Sequence, residues 1–104
     1  MSTIEKLAAT IAARTSASPD SSYTAKLLHD GIEKCAKKFG EEAFELALAA
    51  VSNDKSHTAQ EAADVIYHLL VLLRATGVSL AEVETILAAR EAQSGLDEKA
   101  GRSG

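Results

Sequence analysis

Four carboxylates stand in two pairs of identical spacing, Glu42-x-x-Glu45 and Glu61-x-x-Asp64. A spacing of i,i+3 places both members of a pair on one face of a helix. The turn between the two segments, Ser52-Asn53-Asp54-Lys55-Ser56, is short, so the helices run antiparallel and the pairs face one another. At about 100° per residue, Lys34, Lys38, Glu41, Glu42 and Glu45 fall within one stripe about 100° wide. On the second helix Glu61, Asp64 and His68 stack within about 60°. Carboxylates pointing into a packed region are costly unless paired or metal-bound. Lys34 and Lys38 neutralise part of this charge, and a divalent cation resolves the rest. Oxygen donors without a paired His or Cys suit Mg²⁺ or Mn²⁺, and such Mg²⁺ sites usually hold substrate phosphates, with lysines as phosphate donors. There is no Ser-His-Asp or Cys-His arrangement and no Gly-rich phosphate loop. The chemistry this set supports is phosphoryl or nucleotidyl transfer, which needs neutralisation and positioning more than a covalent nucleophile.

Each residue also has a plainer reading. Lys37 with Glu41, and Lys38 with Glu42, form ordinary i,i+4 pairs on a solvated face. Glu61 is the third residue of a capping box opened by Thr58. His68 reads as a hydrogen-bonded core or interface histidine, and Cys35 as a packing residue. The repetition of the carboxylate pairs on facing helices is what favours the metal reading.

The elements that must carry these residues are helical. Alanine is the commonest residue, aromatics make up 4% of the chain, and there is one proline. Clusters of β-branched and aromatic residues that mark strands are absent, so an all-α fold is expected. Ser2 and Glu5 open a first helix over about 3–14, and a Ser-rich stretch with Pro19 follows as a loop. A short helix covers about 23–29. The third runs from about 32 to 51, interrupted by Gly40, and the fourth from near Thr58 to Thr76, stopped by Gly77. Ser79 and Glu82 cap a fifth that fades near Arg90. Residues 1–92 form one domain and residues 93–104 a polar tail of doubtful order.

The net charge of −4 sets a low expectation for nucleic-acid binding. No apolar run is long enough to span a bilayer, and the N-terminus lacks a secretory pattern, so the expected compartment is the cytoplasm. A single cysteine rules out an internal disulfide and a multi-Cys zinc site within this chain. The fourth helix is apolar nearly all round, and the third has apolar flanks on both sides of its charged stripe. A homodimer is therefore expected, with these two helices of each chain forming a four-helix core and Leu70 and Leu73 on the apolar sides a partner would cover.

The pattern Glu41-Glu42-x-x-Glu45 followed by Glu61-x-x-Asp64 resembles the signature of the all-α, MazG-like nucleotide pyrophosphohydrolases. Within that superfamily the sequence is similar to the phosphoribosyl-ATP pyrophosphohydrolases of histidine biosynthesis. Ser22-Tyr23-Thr24 and the Tyr67-His68 extension of the fourth helix carry the narrower match. The resemblance implies hydrolysis of phosphoribosyl-ATP to phosphoribosyl-AMP and pyrophosphate by attack of water. It implies Mg²⁺ held by Glu42, Glu45, Glu61 and Asp64, with Glu41 orienting or deprotonating the water. Lys26, Lys34 and Lys38 would meet phosphate oxygens. Cys35 stands where an aliphatic residue is expected, which leaves the motif intact. A pyrophosphatase for noncanonical nucleoside triphosphates would share the metal site, whereas a helical adaptor with merely solvated charges would bind no metal. A di-iron bundle is disfavoured by the missing Glu-x-x-His motif.

Overall fold

The computed structural model describes the backbone of residues 1–103 and the side chains of residues 1–95. Five helices follow one another: α1 (Thr3–Arg14), α2 (Tyr23–Asp30), α3 (Ile32–Val51), α4 (Lys55–Thr76) and α5 (Leu80–Ser103). No strand occurs among the described residues. The class is all-α, as composition and periodicity require.

Local chemistry sets most boundaries. The Ser2 hydroxyl accepts from the Glu5 N–H, and the Glu5 carboxylate accepts from the Ser2 N–H, at 3.1 and 3.2 Å. Ser22 caps α2 through the Ala25 N–H. Gly31, at φ 101°, joins α2 directly to α3 in a conformation that other residues rarely adopt. Gly77, at φ 79°, ends α4, with its own N–H bonded to the Arg74 carbonyl and the Val78 N–H to the Leu73 carbonyl. The box expected at Ser79 and Glu82 is present, at 2.8 and 3.1 Å.

Two boundaries differ from the sequence reading. α4 begins at Lys55 rather than near Thr58, because Asp54 is the cap: its carboxylate accepts from the His57 N–H at 3.0 Å. Thr58 then lies inside the helix, with its hydroxyl turned back to the Asp54 carbonyl at 2.7 Å. α5 does not fade near Arg90 but continues to Ser103, since Ala, Glu, Gln, Lys and Arg in this stretch favour helix strongly enough to offset Gly95. Gly40 does not interrupt α3.

α3 and α4 pack along their length as an antiparallel hairpin, α1 packs on α4, and α2 packs on both α3 and α4. The core is Ile11, Leu27, Cys35, Leu70 and Val71, with Leu7, Leu28, Ile66 and Leu73 packed against it. Cys35 is a packing residue as expected, and its Sγ donates to the Leu27 carbonyl at 3.2 Å. α5 leaves this body after its first turn: from Glu84 to Gly95 every side chain is exposed. The radius of gyration is accordingly 16.8 Å, against about 13 Å for a compact domain of this length.

Of the two apolar surfaces the sequence assigned to a partner, the flank of α3 stays open and the sides of α4 do not. Leu70 is buried and Leu73 half-buried within this chain, because α1 and α2 cover that side of α4. The uncovered residues include Phe44, Leu48 and Val51 on α3, 64%, 49% and 81% exposed, Tyr23 on α2, and Ile86 and Leu87 on α5.

Leu27, 2% exposed, ties α2 to α1 and α4. Leu27→Ala should lower unfolding free energy by about 2–5 kcal/mol in urea denaturation. A cost below about 1 kcal/mol would show that α2 is not part of the cooperative core.

Candidate metal centre

The hairpin brings Glu42 and Glu45 of α3 up to Glu61 of α4. One donor oxygen from each lies within 4.8 Å of the other two. The i,i+3 step on α3 and the antiparallel register make this possible. Glu42 is half-buried and Glu45 exposed, while the Glu61 side chain is only 14% exposed. Asp64, one turn further along α4, is exposed and lies outside this group of three, yet its charge still acts on Glu42.

The Glu42 carboxyl is pushed up to about 7. Burial is the largest cause, followed by the negative charge of Glu45 and then that of Asp64. A carboxyl that retains its proton near neutrality reports a cluster short of positive charge. Glu61 Oε2 points to the same deficit, being buried with no hydrogen-bond partner. An all-oxygen donor set, a crowded charge and an orphaned buried oxygen together fit a hard divalent cation.

The remaining candidates are placed unevenly. Glu41 is exposed and turned to Lys38, with Nζ 3.7 Å from its carboxylate. Lys38 is thus paired at i,i+3, not at i,i+4 with Glu42. Lys34 is exposed on α3, about 12 Å along the axis from Glu42. Lys26 is engaged with Asp30 on α2 at 3.4 Å. Glu61 is no capping residue, since Thr58 is helical.

His68 is buried, as the core reading requires, but its Nδ1 has no hydrogen-bond partner. The rings of Tyr67 and Tyr23 meet it edge-on, with centroids 5.0 and 6.4 Å away, and the Tyr67 hydroxyl bonds to that of Thr24. Burial, then Lys38, lowers its pKa against the opposing pull of Asp64 and Glu41, so the ring is neutral at pH 7.

The sequence reading missed His57. Its Nε2 lies 3.3 Å from Glu61 Oε1. The signal was the i,i+4 spacing to Glu61, visible once α4 is known to begin before His57. A cavity of about 470 Å³, lined by Glu45, Leu48, Ala49, Ser52, Asp54, His57 and Glu61, opens beside the carboxylates.

Residues 4–91 match the family described as phosphoribosyl-ATP pyrophosphohydrolase. A protein of Cereibacter sphaeroides strain ATCC 17029 named phosphoribosyl-ATP pyrophosphatase is 61% identical, over 98% of this chain and 99% of its own length. One of Dinoroseobacter shibae with the same name is 59% identical, over 98% and 100%. One of Rhodopseudomonas palustris, named phosphoribosyl-ATP pyrophosphatase 1, is 57% identical, over 96% and 94%. The chain belongs to the phosphoribosyl-ATP pyrophosphohydrolase family.

The raised Glu42 carboxyl has a consequence for stability. Between its ordinary value of 4.5 and about 7, the folded chain binds more protons than the unfolded one, so this group's contribution falls as pH rises through that window. In the presence of chelator, Glu42→Gln should therefore raise the thermal midpoint at pH 8 and leave it nearly unchanged at pH 5. Equal shifts at both pH values in calorimetry would exclude the crowding.

Proposed function

We propose that this chain hydrolyses phosphoribosyl-ATP to phosphoribosyl-AMP and pyrophosphate, the second step of histidine biosynthesis, in the cytoplasm. The observation that carries the reading is the convergence of Glu42, Glu45 and Glu61 on one point in a chain of this family. Glu42, Glu45 and Glu61 would hold Mg²⁺ or Mn²⁺, with Asp64 at the border of the site. Bound there, the cation supplies charge neutralisation to the polyphosphate.

The chain's own residues do the rest. The products require cleavage between the first and second phosphates, with water adding to one side and pyrophosphate leaving from the other. Glu41 is exposed beside the cluster and would orient the water or take its proton. Lys38, next to Glu41, would meet phosphate oxygens first. Lys34 lies further along the same helix, and Lys26 would have to exchange Asp30 for phosphate.

The active form is a homodimer. Phe44, Leu48 and Val51 stand at i, i+4 and i+7 on α3, exposed, and Leu48 also lines the cavity beside Glu45 and Glu61. A second copy covering this stripe would join the two α3–α4 hairpins into a four-helix core and wall the site.

Incubation with phosphoribosyl-ATP and Mg²⁺ should yield phosphoribosyl-AMP and pyrophosphate, with dUTP and dCTP turned over far more slowly. Preference for either deoxynucleotide would move the assignment to a noncanonical-nucleotide pyrophosphatase. Glu42→Gln and Asp64→Asn should each lower kcat/KM by about 100-fold or more with circular dichroism unchanged. Near-full activity in both would sink the metal assignment. The double substitution Phe44→Glu with Leu48→Glu should give a folded monomer in light scattering, and a wild-type chain that is monomeric and active at micromolar concentration would refute the dimer.

A further inference from the structure

We propose that His57 is a positioning residue for the metal centre, fixing Glu61 so that one of its oxygens is held for the cation. This rests on the metal reading above. Glu61 Oε1 lies 3.3 Å from His57 Nε2. Its other oxygen, Oε2, is buried and has no hydrogen-bond partner. One oxygen thus faces the imidazole, and the second remains as the donor. Among the described residues this is the only contact within 4 Å that any of Glu42, Glu45 and Glu61 makes with a Lys, Arg or His side-chain nitrogen.

The arrangement differs from an exposed i,i+4 pair, in which both side chains sit in water. His57 is 55% exposed, but Glu61 only 14%, so the ring stands against a carboxylate largely withdrawn from solvent. His57 is itself held: its backbone N–H is the one the Asp54 carboxylate caps, at 3.0 Å, which pins the first turn of α4 at the α3–α4 corner. A ligand carboxylate oriented by a hydrogen-bonded neighbour loses less freedom on binding metal. The contact is favourable with an N–H at Nε2, which the neutral ring carries in one tautomer. His57 also borders the cavity that runs from Glu45 and Glu61 to the corner, so a direct contact with substrate is the rival role.

The experiment titrates the purified full-length chain with Mn²⁺ alone, by calorimetry or by the loss of the free-ion electron paramagnetic resonance signal. Wild type, His57→Ala and His57→Gln are compared. His57→Ala should weaken Mn²⁺ binding by about tenfold. His57→Gln keeps an N–H donor at the same spacing and should recover most of the loss. Turnover by His57→Ala should need correspondingly more metal and approach the wild-type kcat once metal saturates. Unchanged Mn²⁺ affinity in His57→Ala overturns the inference. If KM for phosphoribosyl-ATP rises while metal affinity holds, His57 is a wall of the substrate cavity. If only the thermal midpoint falls, it is an ordinary helix pair. A wild-type chain that binds no Mn²⁺ overturns the metal reading itself, and this inference with it.

Discussion

Glu42, Glu45 and Glu61 present oxygens within 4.8 Å of one another, and the hairpin that carries them must tolerate their repulsion. Two unit charges about 5 Å apart repel by about 0.8 kcal/mol in bulk water and about 3 kcal/mol at an effective dielectric near 20. The upper figure matches what burial of one large apolar side chain contributes, about 1.5–3 kcal/mol. The chain lowers it in two visible ways: Glu42 keeps a proton to about pH 7, and His57 Nε2 stands 3.3 Å from Glu61 Oε1. A bound divalent cation would remove it more fully than either.

Holding the cluster together falls to the opposite side of α4. Ile11, Leu27, Leu70 and Val71 bury the hairpin's inner face against α1 and α2, and Gly31 lets α2 turn into α3 without a linker. Short connections leave little slack. Three residues separate α3 from α4, with Asn53 at φ 58° and Asp54 as cap, so the register between Glu45 and Glu61 is fixed at the corner. The carboxylates therefore sit on a rigid hairpin rather than on loops, which suits a site that acts by positioning and electrostatics.

What remains uncovered is as informative as what is packed. Phe44, Leu48 and Val51 on α3, and Ile86 and Leu87 on α5, are apolar and open in the single chain. Leu48 of the first group lines the cavity beside Glu45 and Glu61, so a surface that covers it also shapes the mouth of that cavity. From Glu84 to Gly95 the side chains of α5 are exposed, and the longest dimension of the molecule is 58 Å.

The sequence by itself determined the helical class, most helix ends and the four acidic positions. These are local matters: alanine content, caps such as Ser2–Glu5 and Ser79–Glu82, the stop at Gly77, and the i,i+3 spacing on each helix. It misplaced the start of α4, because Asp54 and Thr58 compete as caps and only the closed corner selects Asp54. That one shift hid His57. The tertiary structure alone decided three further points. Glu42, Glu45 and Glu61 converge while Asp64 stands aside, because the angle between two packed helices, not spacing along each, sets distances across them. The apolar residues of α4 are consumed inside the chain and those of α3 are not, because periodicity marks a face as apolar without naming what covers it. Finally, the Glu42 carboxyl retains its proton, because a pKa depends on burial and on charges brought from another helix, and neither is written in the local sequence.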